Sequence, residues 1–260
     1  RVNTMNKADI TFQLYTARKF QPYKNIFKFI SSTGIKNIEL FGLSDFDEKE
    51  LKDLLQEFDL TAMSAHISFE SLENLQDVIN KVKFLNIKHA IIPAPKAVPG
   101  KEFKDFFNLN ETEWVDFAKE ISSKIKIFND NGLTLGYHNH SFEFIQLSNG
   151  KFPMELILDQ DENLKFEIDL GWATAGKVNP IKWIDKYKNQ IIACHLKDFY
   201  SDDDMLNHSS QSSIGSGFIN WKFLLDKIYS TPCEIIAIEH DDPKDYKEYI
   251  NKSLEYLIKI

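Results

Sequence analysis

Eight short β-rich runs recur along the 260 residues, and most are separated by segments with apolar residues at helical spacing. The runs are DITFQLYT (9–16), IKNIELFG (35–42), LTAMSAH (60–66), KHAIIPA (88–94), LTLGYHNH (133–140), LKFEIDLG (164–171), IIACHLKD (191–198) and CEIIAIEH (233–240). Strands that alternate with helices imply crossover connections and a parallel sheet. Helix starts carry capping residues: Asp47 for the second helix, Asn110 with Glu113 three residues on for the fourth, and Asn220 for the seventh. The segment 151–159 is the weakest of the predicted helices.

Eight strands and about eight helices in this length match a single α/β domain over residues 1–260, a (β/α)8 TIM barrel. An open doubly wound sheet is the rival arrangement, but no Gly-rich dinucleotide fingerprint follows the first strand. With 43% apolar residues the chain can build a large core. A net charge of −8 argues against a nucleic-acid partner, which needs clustered Lys and Arg. No apolar run approaches a membrane span. Cys194 and Cys233 lack metal or redox spacing and read as buried thiols. The opening RVNTMNKADI has no initiator Met, so a cytoplasmic chain and a periplasmic one freed of a signal peptide both stand. The stretch 201–217, rich in Asp and Ser, is long enough to serve as a lid.

Barrels of this type carry their chemistry at the carboxyl ends of the strands. Here those ends read Tyr15, Glu39, His66, Pro93, His138 with His140, Asp169, His195 with Lys197, and Glu239. Ionisable groups at the ends of apolar strands are costly to bury singly, so they are expected to face one another. His138, Asp169, His195 and Glu239 fall on the fifth to eighth strands and form a candidate set of ligands for Mn²⁺, Co²⁺, Zn²⁺ or Mg²⁺. Glu167 shares strand parity with Asp169 and is expected one layer below, either orienting a ligand or pairing with Lys197. The glycines of IGSGFINW (214–221) offer either a phosphate cradle or, more plainly, a turn leading to the Asn220 cap. His89, His208 and His240 receive no role.

The ordered set IELFG, SAHIS, LGYHNHSFEF, EIDLGWATAGKVNP, HLKDF, GSGFINW and AIEHD resembles the sugar phosphate isomerase/epimerase family, the xylose isomerase-like barrels, over essentially the whole chain. In the sugar epimerases of that family Glu, Asp, His and Glu hold a divalent ion. The resemblance places Asp169, His195 and Glu239 in the last three positions. It puts His138 where those enzymes have the first Glu, and Trp172 where they have a His that helps hold the sugar. What it implies is metal-assisted isomerisation or epimerisation of a small-molecule sugar or polyol derivative through an enediolate. Glu239 would act as base, and His138 or His140 would move protons. Tyr15, Glu39, His66, Trp172 and Lys197 would hold substrate. The alternatives are elimination from a keto-sugar or keto-glycoside, phosphodiester cleavage as in the endonuclease relatives, and a sugar-binding barrel without catalysis. Relatives of this kind often dimerise, so a homo-oligomer is also an expectation.

Overall fold

The computed structural model describes residues 5–43, 46–95 and 103–260. Eight parallel strands close into a barrel. The first seven are β1 (Ile10–Gln13), β2 (Asn37–Leu40), β3 (Thr61–His66), β4 (His89–Ile92), β5 (Thr134–His138), β6 (Lys165–Asp169) and β7 (Ile191–Leu196). After the two short strands β8 (Asp198–Phe199) and β9 (Gln211–Ser212), β10 (Ile235–Ile238) pairs with both β7 and β1 and closes the ring. The (β/α)8 expectation holds.

Helices α1 (Tyr23–Ser32), α2 (Glu48–Glu57), α3 (Leu75–Phe84), α4 (Glu111–Asp130), α5 (Pro153–Leu158), α6 (Leu170–Ala175), α7 (Pro180–Lys186), α8 (Trp221–Ile228) and α9 (Tyr246–Leu257) belong to the connections. Each longer one buries a single stripe. On α4 the stripe is Trp114, Phe117, Ala118, Ile121, Ile125 and Phe128, at the three- and four-residue spacing that one face of a helix requires. A fully buried side chain of this size contributes about 1.5–3 kcal/mol. The three expected caps are present: Asp47 accepts from the Lys49 and Glu50 amides, Asn110 and Glu113 cap each other's backbone N–H, and Asn220 accepts from Phe223. The segment expected to be weakest forms the six-residue α5, started by Pro153 at a position where its missing N–H costs nothing.

Two layers fill the inside of the barrel. Lower down, Ile91, Ile192, Ala193, Ile235 and Ala237 form a small apolar plug with Met63 packed on it. The layer toward the carboxyl ends is polar and buried, with Gln13, Glu39, Ser64, Glu167, Asp169 and His195 all at 0% exposure. Register places these groups: His138 pairs with Glu167 across β5 and β6, and Asp169 with His195 across β6 and β7. His89 lies at the other end of the barrel and bonds Thr134. Cys194 is buried and Cys233 half-buried, and both are free thiols.

The stretch 201–217, long enough for a lid, contains regular structure. Within it β9 pairs antiparallel with β8, with Asp198 opposite Ser212 and Phe199 opposite Gln211. The seventh strand run is therefore two elements, because Lys197 breaks it where the chain leaves the barrel. Among the described residues no helix is long and apolar enough to cross a membrane.

Gly171, at the start of α6, lies against the Lys197 backbone, and a Cβ there would run into the Lys197 carbonyl oxygen. Gly171→Ala must push the exits of β6 and β7 apart, at a cost of about 1–3 kcal/mol. Thermal unfolding should show Tm lowered by roughly 3–10 °C; an unchanged Tm would mean that this contact relaxes freely.

Candidate active site at the barrel mouth

A cavity of about 470 Å³ opens at the carboxyl ends of the strands. Six of the residues singled out in the sequence line it: Tyr15, His66, His138, His140, Trp172 and Glu239. Phe41, Pro93 and Ala94 add apolar wall, and Asp241 and His208 add polar groups. Tyr15 meets Phe41 edge-on, with ring centroids 5.5 Å apart, so one side of the cavity is aromatic.

Below the cavity His138, Asp169, His195 and Glu239 bring one ligand atom each to within 4.8 Å of one another. A second group, His66, His138, Glu167 and His195, meets the same condition and shares two members with the first. Hydrogen bonds decide what each ring offers. The His195 Nε2 bonds Glu39 at 2.6 Å, while its Nδ1 faces Glu239 at 3.1 Å. The His138 Nδ1 bonds Glu167 at 3.0 Å. With N–H groups donated to Glu39 and Glu167, the ring nitrogens left for an ion are Nδ1 of His195, where the ion would replace the proton shared with Glu239, and Nε2 of His138, the arrangement in which a carboxylate orients an imidazole ligand.

The charges in this layer are strongly coupled. Burial alone would keep His66 neutral, but Glu39 and Glu167 outweigh it and push its pKa up to about 10. His195 is raised well above the usual histidine value by the same two carboxylates against its burial. His138 and His140 go the other way: burial, with cationic neighbours, holds His138 well below the usual value and His140 at about 3. Burial tends to raise Glu239, yet Lys197 and His195 hold its carboxyl well below the usual carboxylate range. Burial pushes Asp169 up to about 7, with Lys197 and His195 opposing.

Asp169 carries the observation that matters for a cation. One carboxylate oxygen accepts from the Trp172 amide at 2.7 Å, whereas Oδ2 is buried with no hydrogen-bond partner among the described residues. Its nearest cation is the Lys197 Nζ at 4.0 Å, too far for a hydrogen bond, and a buried carboxylate oxygen left so beside two imidazoles and a second carboxylate is what a divalent ion would satisfy. The mixed nitrogen and oxygen donors fit the ions expected from the sequence.

The structure places two of the expected substrate contacts elsewhere. Glu39 lies beneath the cavity floor, taken up by Gln13 at 2.6 Å, by Ser64 and by His195. Lys197 is fully buried behind the wall, with its Nζ 2.9 Å from Glu239 and 2.6 Å from Asp241. Both side chains satisfy opposite charges inside the protein and have no surface left for a ligand. Glu167 bonds His66 and His138 and does not pair with Lys197.

Two cavity residues escaped the sequence reading. Asp241 is two residues beyond Glu239, and Gln211 of β9 grips it by donating to its carboxylate and accepting from its backbone amide. His208 arrives from the loop before β9, 6.1 Å from Trp172 and 3.9 Å from the Asp241 carboxylate. The glycine turn is settled as a turn, because its amides are already used. Gly215 and Gly217 donate to Asp198 Oδ2 at 2.9 and 3.1 Å, and Ile219 donates to Oδ1 at 3.3 Å. His240 packs on Tyr249 with ring centroids 5.4 Å apart.

The closed barrel with this site at its mouth belongs with the xylose isomerase-like TIM barrels. That family's model matches residues 27–260, and the chain is a member of the family. A curated relative, inosose dehydratase of Clostridium tetani, is 26% identical over 187 residues, which are 65% of this chain and 61% of the relative. The chain thus matches under two thirds of that relative's length. A sugar phosphate isomerase/epimerase from Parabacteroides distasonis superposes with a TM-score of 0.76 at 21% identity, over 98% of this chain and 95% of the other. The IolI protein, solved with a bound zinc atom, superposes with a TM-score of 0.68 at 15% identity, over 96% of this chain and 94% of the other.

Glu143 supports the exit of β5, accepting from the Tyr137 hydroxyl at 2.6 Å and from the His140 amide at 2.8 Å. Burial pushes its pKa up to about 8, against those hydrogen bonds. A carboxyl whose folded value lies above the unfolded value of about 4.3 stabilises fully below pH 4 and loses that contribution as pH rises through about 8. Denaturant titrations from pH 4 to 9 should therefore show the wild type losing stability relative to Glu143→Gln as pH rises; parallel curves would contradict the assignment.

Proposed function

We propose that this protein removes a proton α to the carbonyl of a sugar or cyclic polyol ketone, at a divalent-ion site made by His138, Asp169, His195 and Glu239. The observation that carries the reading is the buried Asp169 Oδ2, without a hydrogen bond, among three further donors at the floor of the cavity. An ion bound there would supply positive charge to the oxygen of the developing enolate.

Glu239 is the base in this reading, because it is a cavity-lining carboxylate that Lys197 and His195 keep ionised. The aromatic faces of Tyr15 and Trp172 receive the C–H faces of a ring, and His208 with Asp241 receives hydroxyls. His66, a cation at the cavity wall, is placed to stabilise negative charge on substrate oxygen. His138 and His140 are neutral and serve as hydrogen-bonding or proton-relaying groups.

The enolate has two outcomes. In elimination it expels a β-hydroxyl, which leaves as water after taking a proton, and the product is lighter by that water. The inosose dehydratase relative favours this route. In isomerisation the proton returns to carbon, either at the neighbouring position or on the other face, and mass is conserved. The second cavity carboxylate, Asp241, favours this one.

Metal-loaded protein incubated with keto-sugars and inososes in D₂O separates the cases by NMR and mass spectrometry. Deuterium exchange at the α carbon is expected first, followed by loss of water or a change of isomer; binding without any exchange would point to a non-catalytic sugar-binding barrel. Glu239→Gln should lower turnover by roughly 10²–10⁴. Elemental analysis should find a divalent ion in the wild type that is lost in Asp169→Ala/His195→Ala, and full activity after chelation would refute the metal requirement.

A further inference from the structure

We infer that Asn139 is a positioning residue for Asp169: its side-chain amide holds both main-chain polar groups of Asp169 and so fixes which carboxylate oxygen faces the ion site. The inference rests on the divalent-ion reading above.

The last residue pair of the β5–β6 ladder is His138 with Glu167. Beyond it the Asn139 side chain takes over the role of a strand. Its Oδ1 accepts from the Asp169 amide at 2.9 Å, and its Nδ2 donates to the Asp169 carbonyl at 3.1 Å. A primary amide is the side chain that carries one donor and one acceptor in this fork. Aspartate lacks the donor, and alanine lacks both groups. Asn139 is fully buried, so water does not substitute easily for either bond.

With its main chain held, Asp169 keeps the two rotations of its side chain. The Trp172 amide restricts both by binding Oδ1 at 2.7 Å. Oδ2 is then left in a single position, buried and without a hydrogen-bond partner. Three hydrogen bonds thus set the place of one oxygen, and Asn139 supplies two of them. Asn139 follows the last residue of β5, and while His138 and His140 on either side of it line the cavity, its own side chain does not and is left to bond Asp169.

Co²⁺ titration of metal-stripped protein tests this, followed by calorimetry and by the visible absorption of the bound ion. Asn139→Ala should bind Co²⁺ roughly 10- to 100-fold more weakly, the usual effect of removing a group that orients a ligand, and should shift the absorption band. Metal-free Tm is measured in parallel. A lower Tm with affinity within twofold of wild type and an unchanged band would make Asn139 merely structural and overturn the inference. Asn139→Ser keeps one polar atom at the position and covers the case in which the alanine variant does not fold; the same outcomes apply to it. Wild-type protein that takes up no Co²⁺ would instead refute the ion site itself.

Discussion

The structure depends on keeping a layer of carboxylates, imidazoles and one ammonium inside a barrel, where each charge alone would be prohibitive. Glu39, Glu167, Asp169, His195 and Lys197 all have zero exposure. What makes this tolerable is reciprocity: His195 lies between Glu39 and Glu239, His66 lies against Glu167, and Lys197 lies between Glu239 and Asp241. Removing one member leaves another charge unpaired, which is far more costly than a lost surface pair. Closure of the β-sheet is the precondition, because Glu39 and His195 lie 156 residues apart and meet only across the closed ring.

This layer divides the labour between structure and chemistry. Glu39 and Glu167 do not line the cavity, yet they determine which ring nitrogens of His195 and His138 remain available. Lys197 does the same for the base by holding Glu239 ionised from behind. The residues that touch the cavity are thus prepared by residues that do not. Asp169, whose main chain and Oδ1 are held by three hydrogen bonds, keeps Oδ2 free of any.

Much of the architecture was legible in the sequence for local reasons. Strand runs, helical spacing and the Asp47, Asn110 and Asn220 caps are properties of a few adjacent residues, and all reappear in the structure. The strand-end rule also picked out the residues that converge at the mouth. It failed on depth, since Glu39 and Lys197 are strand-end residues whose side chains lie behind or below the cavity wall. Register controls that depth, and β2 shifts its pairing with β3 between Ile38 and Glu39, an irregularity that no local pattern signals. His208 was missed for a different reason: a histidine in a polar loop looks solvated until the β8–β9 pairing carries it to the cavity. Asp241 was hidden by its neighbour, two residues beyond the more conspicuous Glu239.

Asp198 gives the loop after β7 a closed base. Its carboxylate collects the amides of Gly215, Gly217 and Ile219, and β8 pairs with β9, so both ends of the loop are anchored independently of its tip. Of residues 201–207 between those anchors, Met205 is buried in the core, and the exposed positions around it can change in composition without transmitting strain to the barrel. A fold built in this way can exchange one substrate preference for another by rewriting a few surface residues, while the buried chemistry below stays as it is.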